Sequence, residues 1–195
     1  MYGGTFNPPH MGHLAAAESC IRRLKLDTLL LMPAGQPPHK EIAAGSPTAR
    51  QRLEMVELAA TLVPGAQACG LELERAGQSY TADPMEELRR RYPEDQLWLV
   101  MGTDMLRSFE NWRDPQRILA CCRLAALPRM PGEMEEVRRL ARRLRRRLGA
   151  HIDIVPHEPV PVSSTMLRAG QHPELIPPPV ADYIRKQGLY HAAAE

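Results

Sequence analysis

The stretch Gly3-Gly4-Thr5-Phe6-Asn7-Pro8-Pro9-His10-Met11-Gly12-His13-Leu14 is a glycine-rich turn running into two histidines three residues apart and then into a helical pattern. Glycine lacks a Cβ, so the backbone at Gly3 and Gly4 can turn sharply and bring its N–H groups close to a ligand. A helix that starts near His10 to Gly12 points its unpaired N–H groups and the positive end of its dipole at the same place. Residues three apart share a helix face, so His10 and His13 stand side by side as donors to anionic oxygens. Gly12 between them admits a close approach to the backbone. The chemistry that fits is phosphate binding, although a tight turn with two capping histidines would use the same residues.

Outward from this stretch, short apolar runs alternate with helical patterns. Leu29-Leu30-Leu31-Met32, Leu97-Trp98-Leu99-Val100-Met101, Leu124-Ala125-Ala126-Leu127 and Ile152-Asp153-Ile154-Val155 read as strands buried on both faces. The spacing of apolar residues predicts helices over 14–24, 48–62, 85–92 and 133–148, with a last one over 180–187 after a stiff Pro177-Pro178-Pro179 connection. Such alternation predicts βαβ units and an α/β fold, a doubly wound open parallel sheet with helices on both faces. Ligands of such sheets sit at the carboxyl ends of the strands. Three landmarks fall there: the Gly3-Gly4 turn after the first strand, Gly102-Thr103-Asp104 after Met101, and the loop 33–47 after Met32. That loop contains Pro37-Pro38-His39-Lys40 and is long enough to be a mobile substrate loop.

Composition narrows the class further. The 195 residues suit one domain over 1–195. A formal charge of +2 makes no case for a nucleic-acid partner. The run 138–147 holds seven arginines, but Val137, Leu140, Leu144 and Leu148 keep an apolar stripe, so it reads as a solvated helix face. Cys20, Cys69, Cys121 and Cys122 show no C-x-x-C spacing; reduced thiols in the cytoplasm, with no metal site, are expected. No apolar stretch approaches the ~20 residues that span a bilayer, and no leader pattern precedes the glycines. The expectation is a soluble chain without a membrane partner, with a homo-oligomer left open.

A second phosphate-like element is Val162-Ser163-Ser164-Thr165-Met166-Leu167-Arg168. Successive hydroxyl residues at a helix start gather side-chain oxygens and free backbone N–H groups. An arginine one turn on adds a fixed fork of donors for a polyphosphate. Taken alone, the same residues make an N-cap followed by a surface arginine.

The first stretch resembles the GG-T/S-F-x-P-x-H-x-G-H signature of a nucleotidyltransferase superfamily. The second is similar to its I/V-S-S-T-x-x-R element, which binds the β- and γ-phosphates of a nucleoside triphosphate. Ser79-Tyr80-Thr81-Ala82-Asp83, Gly102-Thr103-Asp104-Met105-Leu106, Asn111-Trp112, Pro37-Pro38-His39-Lys40 and Gly188-Leu189-Tyr190 extend the resemblance over essentially the whole chain, toward bacterial nicotinate-nucleotide adenylyltransferases. The resemblance implies a Rossmann-like fold and adenylyl transfer from ATP, carried with Mg²⁺, to nicotinate mononucleotide. It implies His10, His13 and Arg168 as catalytic residues. Gly3, Gly4, Thr5, Phe6, Gly12, Lys40, Gly102, Asp104, Ser163, Ser164 and Thr165 would bind ATP and its phosphates, and Tyr80, Thr81 and Trp112 the acceptor. An indole offers a flat face for an electron-poor ring; by itself Trp112 would read as an aromatic of the core or of a surface cleft. Arg129, beyond the strand ending at Leu127, is a further candidate for a phosphate contact.

Members of the family place several apolar residues before the glycines, whereas here only Met1 and Tyr2 precede Gly3. Either the natural chain carries further residues or the central strand is short. Rival readings are another small nucleotidyltransferase, such as one acting on phosphopantetheine, and a nucleotide-binding module without turnover.

Overall fold

The structure, a computed structural model, describes residues 1–35, 46–74 and 80–190. Among the described residues six strands form the sheet: β1 (Tyr2–Gly4), β2 (Leu29–Pro33), β3 (Ala66–Ala68), β4 (Trp98–Gly102), β5 (Arg123–Leu127) and β6 (Ile152–Ile154). All paired strands run parallel, in ladders β3-β2-β1 and β4-β5-β6. Met1 joins the ladders, because its nitrogen donates to Trp98 O at 2.7 Å and its carbonyl accepts from the Val100 N–H at 2.9 Å. The resulting order, 3-2-1-4-5-6, reverses direction between β1 and β4, and such a switch point opens a crevice at the carboxyl ends of the two strands.

Why the strands are apolar throughout is visible in where alternate residues go. Leu99, Met101, Leu124 and Ala126 pack with one set of helices, while Val100, Ala125, Leu127, Leu29 and Leu31 pack with the other. Helices α1 (Met11–Leu24) and α2 (Ala49–Ala60) cover the second face, joined by Val180 of α8 (Pro178–Gln187). Helices α3 (Ala82–Arg91), α4 (Thr103–Ser108), α5 (Pro115–Cys121) and α6 (Met134–Leu148) cover the first. The short α7 (Ser164–Arg168) lies between β6 and α8. On α6 the stripe of Val137, Leu140 and Leu144 is buried, and arginines of its outer face pair with Glu135, Glu136 and Glu110.

Two local expectations change. Gly3 and Gly4 belong to β1 itself, paired with Met32 and Pro33, and the sharp turn comes after them, at Phe6 with φ 48°. A Cβ on Gly4 would stand 3.1 Å from the Phe6 ring, so the glycine makes room for that ring to fold back. Pro178 and Pro179 begin α8 instead of leading to it. Proline suits the first helical turn, where the missing N–H has no partner to lose. The edge strand β3, Ala-Gln-Ala, carries no strand signal of its own. Among the described residues no helix is long and apolar enough to cross a membrane.

Candidate active site

A cleft of about 670 Å³ lies over the carboxyl ends of β1 and β4. It brings together residues from both ends of the chain, among them His10, His13, Gly102, Trp112, Arg129 and Arg168. All the expected site residues among those described line it, whereas Lys40, with residues 36–45 of its loop, lies outside the described residues.

His10 is the N-cap of α1 and His13 its third residue. Their rings stack with centroids 3.7 Å apart, and both side chains are buried. The His10 N–H donates to His13 Nδ1 at 3.2 Å. That contact assigns the neutral His13 proton to Nε2, leaving a donor on the far side of the ring. Among the described residues neither ring nitrogen of His10 has a partner, an arrangement that a buried polar group sustains only with a ligand or water to satisfy it. Beneath them Phe6, 2% exposed, packs its ring 4.8 Å from that of His13. Phe6 therefore offers the cleft its backbone rather than its ring. Gly12 leaves room for the His10 ring and Val162, whose atoms would lie 3.0 and 3.1 Å from an added Cβ.

Burial pushes the His10 pKa down to about 4, with the charge of Arg129 adding to the effect. Burial holds His13 well below its ordinary value too, helped by His10 and Arg129. Both rings are therefore neutral near pH 7. Since the folded His10 pKa lies below the unfolded value of about 6.5, the unfolded chain binds more protons between these two values. Stability is then fully present above pH ~6.5 and falls as the pH drops toward 4. From pH 7.5 to 5 His10 alone lowers the unfolding free energy by about 2 kcal/mol. Urea unfolding across this range checks it: His10→Gln, which has no titrating ring, flattens the profile, and an unchanged slope rules out the buried neutral imidazole.

The second cradle docks on the first. Ser163 caps α7, its Oγ accepting from the Met166 N–H at 3.3 Å. Ser164 Oγ donates to Pro8 O at 2.9 Å, and Arg168 donates from Nη1 to Asn7 O at 2.7 Å and from Nη2 to Thr165 Oγ1 at 3.1 Å. Two elements more than 150 positions apart in the chain thus share one wall, with the cationic fork of Arg168 at its edge.

Tyr80, Thr81 and Trp112 line the same cleft. The indole packs edge-on against buried Phe109, centroids 5.3 Å apart, and its Nε1 donates to Ser108 Oγ at 3.1 Å. Gly102 ends β4, and Asp104 lies in the first turn of α4, exposed, 2.6 Å from Arg107 Nη1. Arg129 joins the cleft with its Nε 3.8 Å from Asp104. Glu133 sets its position by accepting from the Arg129 N–H at 3.0 Å and the Thr103 hydroxyl at 2.6 Å.

Sequence reasoning missed several members. Arg52 of α2 is fully buried and donates to Thr5 O at 2.9 Å and Gly35 O at 3.0 Å, tying the loop after β1 to the end of β2. Buried Asn7 takes Arg168 on its carbonyl and the Tyr190 hydroxyl on its side chain, which fastens the Gly188-Leu189-Tyr190 segment to the loop. His157, also at the cleft, is hydrogen-bonded through Nδ1 to Ser19 Oγ at 2.9 Å. Nothing local marks these residues. Among the described residues no three His, Cys, Asp or Glu side chains gather to hold a metal ion.

A parallel sheet in this order, with its cleft at the switch point, defines an α/β nucleotide-binding architecture. The model of the cytidylyltransferase-like family matches residues 1–170. A protein of Dehalococcoides mccartyi named "Probable nicotinate-nucleotide adenylyltransferase" is 37% identical over 97% of this chain and 95% of its own. One of the same name from Gloeobacter violaceus is 36% identical over 100% of this chain and 96% of its own. Among solved structures, a Plasmodium falciparum nicotinic acid mononucleotide adenylyltransferase complexed with NaAD shares the fold, with a TM-score of 0.74 over 97% of this chain and 95% of that one at 16% identity. The chain belongs to the cytidylyltransferase-like family and, within it, to the nicotinate-nucleotide adenylyltransferases.

Proposed function

We propose that this chain, acting as one nucleotidyltransferase domain in the cytoplasm, transfers the adenylyl group of ATP to nicotinate mononucleotide, releasing pyrophosphate and forming nicotinate adenine dinucleotide. One observation carries the reading: a buried pair of neutral histidines and a serine-capped helix bearing Arg168 share one wall of a cleft that Trp112 and Thr81 also line. The names of full-length relatives at 36–37% identity support it.

The acceptor phosphate has its second pKa near 6 and is mostly dianionic at neutral pH. One of its oxygens attacks the α-phosphorus in line. A bond forms from that oxygen to the α-phosphorus, the bond from the α-phosphorus to the bridging oxygen breaks, and pyrophosphate leaves with the electron pair. No general base is needed. Mg²⁺ enters as part of the triphosphate substrate.

What the protein supplies is position and charge. His10 and His13 donate to the α-phosphate oxygens. Entry of that negative charge favours the imidazolium form and opposes the burial that keeps the free rings neutral. Ser163, Ser164, Thr165 and Arg168 hold the leaving pyrophosphate. The backbone of Gly3, Gly4, Thr5, Phe6 and Gly12 lines the phosphate path, Lys40 adds a charge from its loop, Gly102 and Asp104 meet the ribose, and Tyr80, Thr81 and Trp112 receive the acceptor. Pyrophosphate release from MgATP with a panel of acceptors tests the reading. Nicotinate mononucleotide is expected to give the highest kcat/KM. A higher value with phosphopantetheine identifies a different small adenylyltransferase, and absence of pyrophosphate release with every acceptor identifies a nucleotide-binding module without turnover.

A further inference from the structure

The proposed reaction leaves one buried cation beside the cleft without a task. Arg52 lies on the inner face of α2 with Leu53, Met55, Val56 and Ala59, all buried, and is itself 0% exposed. A charge taken out of water is costly, and an apolar side chain of similar volume is often no worse for stability. Burial pulls the Arg52 pKa down, opposed by Tyr190 and Glu72. What the guanidinium holds in return is backbone: Nη1 donates to Thr5 O at 2.9 Å and Nη2 to Gly35 O at 3.0 Å. Gly35 is a fixed point, because a Cβ there would stand 2.8 Å from the Glu72 carbonyl oxygen, and the Ala34 N–H before it donates to Gly4 O at 2.8 Å. Thr5 is the end that faces the cleft. It is followed by Phe6, whose φ of 48° lies in the left-handed region. A residue with a Cβ stays there only where its surroundings hold it, and such positions gather at active sites.

We propose that Arg52 is a positioning residue for the transfer step: braced on Gly35, it draws the Thr5 carbonyl inward and so presents the Phe6 N–H to the phosphates, a role that rests on the phosphate half of the function proposed above. In a trans peptide the carbonyl and the following N–H point in opposite directions. Arg52 does not line the cleft, whereas Thr5 and Phe6 do. A carbonyl turned toward Arg52 therefore leaves the Phe6 N–H on the side of the cleft. The Phe6 ring is folded into the core, 2% exposed, so the backbone is what this residue offers a ligand. The planar fork of arginine spans two carbonyls at a fixed separation, which a lysine ammonium on its flexible stem cannot do. Donors set before the substrate arrives need no reorganisation as charge shifts in the transition state, so the effect belongs in turnover.

The test compares the native protein with Arg52→Met, which fills the volume and holds neither carbonyl, and Arg52→Lys, which can hold one. Three quantities are read: kcat and KM for MgATP and for nicotinate mononucleotide, thermal unfolding, and hydrogen exchange of the backbone with and without MgATP. Arg52→Met is expected to lower kcat about 10- to 100-fold, the scale of a misplaced catalytic group, with both KM values within about threefold. It should still unfold cooperatively above the assay temperature. Exchange should quicken over residues 3–9 and stay unchanged over β4 and β5, and MgATP should protect residues 3–9 less than in the native protein. Arg52→Lys should recover part of the kcat and part of the protection. A kcat within about threefold of native together with native exchange over residues 3–9 overturns the proposal. So does faster exchange spread equally over β4 and β5, which marks Arg52 as a structural residue only. Exchange is read without turnover: a native protein that is inactive with every acceptor fails the proposed function, while the protection of residues 3–9 by MgATP still decides for or against Arg52.

Discussion

His13→Ala lowers turnover by about 10²- to 10³-fold, the loss expected when a preorganised donor aimed at transition-state charge is removed. His13 is suited to that role because its Nδ1 is occupied by the His10 N–H and its proton sits on Nε2, so the donor is oriented before substrate arrives. Burial keeps the ring neutral and dry in the free protein. In such surroundings a hydrogen bond to a charged oxygen is worth more than in water. Alanine also leaves the His10 N–H without its acceptor and opens space beside Phe6, so a stability loss of about 1–2 kcal/mol accompanies the effect. His13→Asn separates the two contributions by returning an acceptor to the cap without an imidazole donor. Its unfolding midpoint should recover most of the loss, while its kcat stays low. If His13→Ala keeps an unchanged circular dichroism spectrum and turnover within threefold of the native value, the histidine is a helix cap and no more.

Arg168→Lys is expected to lower kcat/KM for ATP about 10- to 100-fold, and pyrophosphate affinity in the reverse direction by a similar factor. The guanidinium has five donors, and among the described residues two bonds engage them, one to Asn7 O and one to Thr165 Oγ1. It can brace the loop after β1 and still reach a phosphate. A lysine ammonium is a single point on a flexible stem and does one of these at a time. Acceptor binding should hardly change. Calorimetric titration of pyrophosphate and of nicotinate mononucleotide into the variant decides it: unchanged pyrophosphate affinity removes Arg168 from the site, together with much of the case for the 163–168 cradle.

Much of this molecule is legible locally. The four apolar runs became β2, β4, β5 and β6 because both faces of the sheet are covered by helices, so alternation of polar and apolar residues has no place in them. The starts of α1 and α7 were readable from His10 and Ser163, since a cap is chosen by the chemistry of one or two side chains. The placement of Gly3 and Gly4 was not. Glycine permits a turn without requiring one, and their pairing with β2 decided the matter.

By itself, then, the sequence determined the alternation of four strands with the longer helices, the two phosphate-ready helix starts and the family, because each rests on contiguous residues whose spacing has a direct physical meaning. The tertiary structure alone decided which distant groups meet. Ser164 reaches the loop of Pro8, Tyr190 the side chain of Asn7, and Ser19 the ring of His157. Arg52 reads in the sequence as part of the charged face of a helix, yet it is fully buried because the loops after β1 and β2 present carbonyls where α2 crosses them. Arg113 reads as an ordinary surface cation, and only the approach of Tyr80 turns it toward the cleft. Such pairings follow from how the strand order 3-2-1-4-5-6 closes in space, and no local pattern encodes that closure.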